Sequence, residues 1–82
     1  MRVVGEIPHP NLKITIFSWN NRYLIKLEDA VIEQTFKVSA FDITSENDIY
    51  KILDTEFLDQ ALNRFGEMSK SLAESMQRND VF

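Results

Sequence analysis

Residues 12–28, LKITIFSWNNRYLIKLE, constrain this chain more than any other stretch. Two runs alternate between apolar and polar side chains, and they meet at Asn20-Asn21. A period of two on either side of a turn predicts an antiparallel hairpin. Asn enters the positive-φ region more readily than other non-glycine residues, so a primed two-residue turn is expected there. A four-residue loop over 19–22 would keep the same pairing. With strands over about 12–19 and 22–29, that pairing sets Ser18 opposite Tyr23, Ile16 opposite Ile25, Ile14 opposite Leu27 and Leu12 opposite Asp29 on one face. On the other it sets Trp19 against Arg22, Phe17 against Leu24, Thr15 against Lys26 and Lys13 against Glu28, the last an expected cross-strand ion pair. A slip of one residue would exchange the aliphatic face with the aromatic and charged one, so the register is tightly specified.

The flanking segments build outward from this hairpin. Residues 2–7 read as a short first strand, interrupted at Gly5 and ended by Pro8-His9-Pro10, where two backbone donors are missing. A further strand over about 31–39 has Ile32, Phe36 and Val38 on one parity and Glu33, Thr35 and Lys37 on the other. A turn at Asp29-Ala30 would put Leu27 opposite Ile32, Ile25 opposite Gln34, Tyr23 opposite Phe36 and Lys26 opposite Glu33. Gln34 then falls on the aliphatic face.

Helix follows, over about 46–78. Ser45 with Glu46 and Asp48 is a helix-start signature, and Asp54-Thr55-Glu56 is a second one. Leu58, Ala61, Leu62, Phe65, Met68, Leu72 and Met76 then recur at three- and four-residue intervals. Gly66 inside this run costs about 1 kcal/mol against Ala, which points to close packing there.

The expected fold is α+β: an antiparallel meander of three to four strands, followed by a long C-terminal helix packed on one face. Residues 1–82 are expected to form one domain. A helix of about 24 residues spans about 36 Å, whereas a strand of about eight residues spans about 26 Å. The helix is therefore expected to overhang its sheet and leave Leu72 and Met76 uncovered.

A chain of 82 residues buries only about 60% of its unfolded surface, and without cysteine no disulfide reinforces it. Hydrophobic residues at 44% and charged residues at 27% suit a globular chain. Residues 1–44 hold five Lys/Arg and five Asp/Glu, while residues 45–82 hold four and eight, which accounts for the net charge of −4. The N-terminus has no long apolar run, so a cytoplasmic protein with no membrane partner is expected.

Catalytic chemistry finds little to work with. His9 is the single histidine, and there is no cysteine to act as nucleophile or metal ligand. Gly5 and Gly66 are too far apart to cradle a phosphate. Glu46, Asp48, Asp54, Glu56 and Asp59 sit at helix starts, where carboxylates are ordinary electrostatics. No catalytic residue, metal or cofactor is expected, and no enzyme activity.

Binding is the better supported class. Phe17, Trp19, Arg22, Lys26 and Lys37 share the non-aliphatic face of the sheet and form a candidate interaction surface, with Lys13 beside them. Phe65, Leu72 and Met76 are the candidate contacts between two copies. The preferred expectation is a small non-enzymatic protein-interaction module, self-associating as a homodimer, pairing with another protein, or both. The alternative is single-stranded nucleic-acid binding on the outer sheet face, where aromatics would stack on bases and cations attract the backbone. The acidic pI of 4.8 weighs against it.

GEIPHPNLKITIFSWNNRYLIKLE followed by IEQTFKV is similar to short uncharacterised bacterial proteins of about this length, over most of the chain. That resemblance implies no activity and no site residue. Four strands followed by a helix also resemble, in element order alone, the PUR-type repeat and Whirly-like single-strand binders, and that likeness implies the alternative just given.

Overall fold

Asn20 and Asn21 both adopt positive φ, 54° and 61°, as a type I′ turn requires. The turn joins β2 (Lys13–Trp19) to β3 (Arg22–Glu28), and the two strands pair in the expected register from Lys13↔Glu28 to Trp19↔Arg22. The computed structural model describes residues 1–81. Around this hairpin it places β1 (Arg2–Ile7) and β4 (Glu33–Ser39), giving a four-stranded antiparallel sheet in the order β1-β2-β3-β4. A short 3-10 turn at Ala40–Asp42 leads to α1 (Glu46–Ile52) and the long α2 (Thr55–Arg78). The architecture is an α+β meander with a C-terminal helix on one face.

The pairing of β3 with β4 differs from the expected one by two residues: Leu27 lies opposite Gln34, Ile25 opposite Phe36 and Tyr23 opposite Val38. Asp29 is the cause. Its carboxylate accepts the N–H groups of Val31 and Ile32, both at 2.8 Å, and its own N–H donates to Ile32 O at 3.0 Å. The side chain thus closes a four-residue loop where a two-residue turn was expected. These two backbone hydrogen bonds hold the Asp29 carboxyl below its ordinary pKa. A shift of two leaves every side chain on its expected face.

Gly5 marks a bulge. Val3 pairs with Phe17 and Gly5 with Ile16, leaving Val4 as the extra residue. A Cβ at Gly5 would collide with the Tyr50 hydroxyl of α1, so this position has no room for a side chain.

The helices begin as their acidic first turns suggest. The Asp48 carboxylate accepts from the N–H groups of Thr44 (2.8 Å) and Ser45 (3.4 Å), bonds that hold its pKa down, Thr44's first. Asp54 accepts from Phe57 N–H at 2.8 Å and opens α2. Ile14, Ile16, Ile25 and Leu27 from the hairpin and Ile49 from α1 are fully buried, and Ala61 and Phe65 of α2 close over them. Each large apolar side chain so covered contributes about 1.5–3 kcal/mol.

Gln34, a polar residue on the aliphatic face, is only 8% exposed. Its Nε2 donates to Ala61 O at 2.9 Å, and its Oε1 accepts from Arg64 Nε at 3.0 Å. The Arg64 guanidinium also lies over the rings of Phe36 (5.8 Å) and Phe57 (5.9 Å), which meet edge to face at 5.1 Å. Polar and aromatic contacts together fasten β4 to the first half of α2.

Beyond Phe65 the helix contributes nothing to the core. Residues 66–78 add about 20 Å of helix, and the molecule measures 48 × 26 × 19 Å. The overhang is completed like any free helix end. Val81 N–H donates to Met76 O at 2.9 Å and Asp80 N–H to Gln77 O at 3.3 Å, with Asp80 at φ 55°. This is a Schellman motif, which sets Val81 alongside Met76. Gly66 is not a close-packing position as expected, because an added Cβ there meets nothing within 4 Å.

Candidate interaction surfaces

The strand register assigns the outer sheet face row by row. Val3, Phe17, Leu24 and Lys37 run across all four strands in one row, and Trp19, Arg22 and Ser39 form the row nearest the hairpin turn. Glu6, Thr15, Lys26 and Thr35 form the row on the opposite side. Val3 is 57% exposed and Trp19 51%, while Phe17 and Leu24 are half-buried. Met1, Phe17, Leu24, Lys26, Glu33 and Thr35 line a shallow depression of about 230 Å³ on this face. Val3 and Leu24 were not among the expected surface residues. Leu24 reads from its alternation as an ordinary strand residue, and Val3 reaches this row only through the bulge at Val4.

The cations of the face divide into two kinds. Lys26 Nζ lies 3.1 Å from Glu33 Oε2 and 3.8 Å from Glu28 Oε1. Its hydrogen bond to Glu33, then the charge of Glu28, raise its pKa above the ordinary lysine value. Because Glu28 turns toward Lys26, the expected Lys13–Glu28 ion pair does not form despite the correct register. Lys13, Arg22 and Lys37 make no ion pair among the described residues. The cation–π contacts found among those residues belong to Arg64, not to Arg22 beside Trp19.

The second surface is the outer half of α2. At 100° per residue, Leu72 and Met76 project within about 20° of the direction of Phe65, so they continue the stripe that covers the core. Phe65 is 5% exposed, whereas Met68 is 37% and Leu72 47% exposed. Phe65, expected among the contacts between copies, instead belongs to this chain's own core. Met76, half-buried beside Val81, and Leu72 remain on the overhang. Glu67, Lys70 and Glu74 point about 140° or more from the stripe, and Lys70 Nζ approaches Glu74 Oε1 at 3.9 Å.

Several other chemistry-bearing groups, His9, Glu46, Asp48 and Asp54, are engaged locally. His9 Nδ1 accepts from Asn11 N–H at 3.1 Å beside a shallow cleft of about 410 Å³ lined by Glu6, Ile7, Leu12 and Lys13. Glu46 pairs with Arg2 at 3.0 Å, and Asp48 and Asp54 accept helix-start N–H groups. Among the described residues no three His, Asp or Glu side chains gather as a metal would require. No helix there is long and apolar enough to cross a membrane.

A comparison of the chain with family models, curated proteins and solved structures finds no match, leaving the molecule's own geometry as the ground for a functional reading.

Proposed function

We propose that this protein is a small non-catalytic interaction module that self-associates as a homodimer through the outer half of α2. The observation that carries this reading is the break in burial along one continuous stripe, from Phe65 at 5% exposed to Leu72 at 47%. A contiguous apolar face held out in water and flanked by uncharged positions is the kind of surface that takes a partner. Light scattering at high micromolar concentration tests it: twice the chain mass is the expected result, and a monomer mass contradicts the proposal.

Single-strand binding on the outer sheet face is the second reading, supported by the exposed Trp19 beside Arg22 and Lys37. It is the weaker one. Lys26 is neutralised by two carboxylates, and the chain carries a net charge of −4, so attraction for a phosphate backbone is small. Salt-sensitive quenching of Trp19 fluorescence by oligonucleotides at low salt would favour this second reading over the first.

A further inference from the structure

β4 is an open edge of the sheet, with no strand beyond it among the described residues. The bonds from Ala40 N–H to Asn21 O and from Asp29 N–H to Ile32 O bracket the β3–β4 ladder. Gln34, Phe36 and Val38 therefore exchange hydrogen bonds with β3, while Glu33, Thr35 and Lys37 turn their N–H and C=O groups outward. The other edge, β1, is blunted by its bulge at Val4, whereas β4 has neither a bulge nor a proline. We infer that β4 pairs antiparallel with β4 of a second copy about a two-fold axis at Thr35, joining two sheets into one. This rests on the self-association proposed above and specifies its geometry.

Charge selects the register. Along one strand Glu33 and Lys37 are about 13 Å apart, too far to pair. An axis at Thr35 sets each Glu33 opposite Lys37 of the second copy and closes about six backbone hydrogen bonds. An axis at Glu33 or at Lys37 would set like charges together, and one at Gln34 or Phe36 would leave all four charges unmatched. The same pairing corrects an imbalance within each copy. Glu28 and Glu33 lie directly opposite one another and share Lys26, while Lys37 has no ion-pair partner among the described residues. Two other charges beside the seam are held within their own copy: Arg64 by Gln34 and the rings of Phe36 and Phe57, and Asp29 by the N–H groups of Val31 and Ile32. Asp42 adds a carboxylate at each end.

The pairing also gives the overhang a neighbour. Phe57 meets Phe36 and the Ala61 carbonyl meets Gln34, so α2 runs along β4 and out past the 29–32 loop. Leu72 lies about 16 Å beyond Ala61. With the axis at Thr35, residue 41 of the second copy falls level with residue 29, about 17 Å beyond Gln34. Phe41, 86% exposed in the single chain, thus comes alongside Leu72. At 100° per residue Met68 projects on the same flank of α2 as Phe57 and Arg64, the β4 side.

The test uses the full chain, with folding checked by circular dichroism. Thr35→Pro removes an outward donor that β3 does not use, a place where an edge strand tolerates proline. Sedimentation should show this variant dissociating about tenfold or more readily than the native chain. Glu33→Lys and Lys37→Glu should each weaken association alone, and an equimolar mixture of the two should recover it, because every seam pair is then of opposite charge. The chain has no cysteine, so Thr35→Cys reports the axis: mild oxidation should link two copies. Lys37→Cys, about 13 Å from its counterpart, should not link. Phe41→Glu should weaken the dimer as Leu72→Glu does, and a Phe41→Glu dimer as tight as the native one removes Phe41 from the seam. A Thr35→Pro chain that associates like the native chain, a mixture no tighter than its parts, or Lys37→Cys linking as readily as Thr35→Cys overturns the β4 pairing while leaving association through α2 standing. A native chain that stays monomeric throughout overturns both.

Discussion

The two halves of α2 share one apolar periodicity and have opposite surroundings. From Phe57 to Phe65 the helix lies on the aliphatic face of the sheet, with Ala61 and Phe65 buried and Arg64 fixed by Gln34, Phe36 and Phe57. Over residues 66–78 the same spacing continues with no sheet beneath it, and Leu72 is 47% exposed. Periodicity records that a face is meant to be covered. The length of the sheet decides how much of that face this chain covers itself. The remainder is where the proposed function resides.

Substitutions on the two sides of Phe65 test this contrast most strongly. Phe65→Ala should destabilise the fold by about 3–5 kcal/mol, because it opens a cavity in the core. Leu72→Ala should change the stability of the dilute protein by no more than about 0.5 kcal/mol. Urea unfolding at low concentration measures both, and similar losses at the two positions would erase the distinction between the halves. Gln34→Ala removes the polar link between β4 and the first half of α2, at an expected cost of about 1–3 kcal/mol by the same measurement. Gly66→Ala should stabilise by about 0.5–1 kcal/mol, since the added methyl meets open space and the helix loses a flexible residue. A loss there would mean that something packs against Gly66.

The smallest effect expected is that of acid on the loops and caps outside the helix stripe. Asp29 and Asp48 both have pKa values lowered by backbone hydrogen bonds. In the window below their ordinary value the unfolded chain takes up these protons first, so stability falls as pH drops through about 4 and below, and is fully present above it. Asp29→Asn with Asp48→Asn should flatten that slope in urea titrations between about pH 5 and 2.5, and an unchanged slope would remove these two groups as its source.

Much of this fold was legible because its central register rests on strict alternation. The pairs from Ser18–Tyr23 to Lys13–Glu28 follow from Asn20-Asn21 and the apolar positions alone. The β3–β4 register was not legible, because a carboxylate that accepts two backbone N–H groups changes loop length without changing the apolar pattern around it. The surfaces were partly legible. The exposure of Leu72 follows from comparing helix and strand lengths, and Trp19 and Arg22 follow from parity. Phe65 could not be assigned to the core instead of an interface without knowing where the sheet ends. The pairing of Lys26 with Glu33 was legible from strand parity, although Glu33 sits on the diagonal and not directly opposite as expected. The Arg64 clamp joins residues of β4 and α2 whose approach no local pattern encodes.

Amide hydrogen exchange along α2, followed from low to high micromolar protein, tests most directly whether a second copy covers the outer half of the helix. Coverage predicts that protection of residues 66–78 rises with concentration while protection over 57–65 stays constant. Exchange in the outer half that is equally fast at every concentration would contradict it.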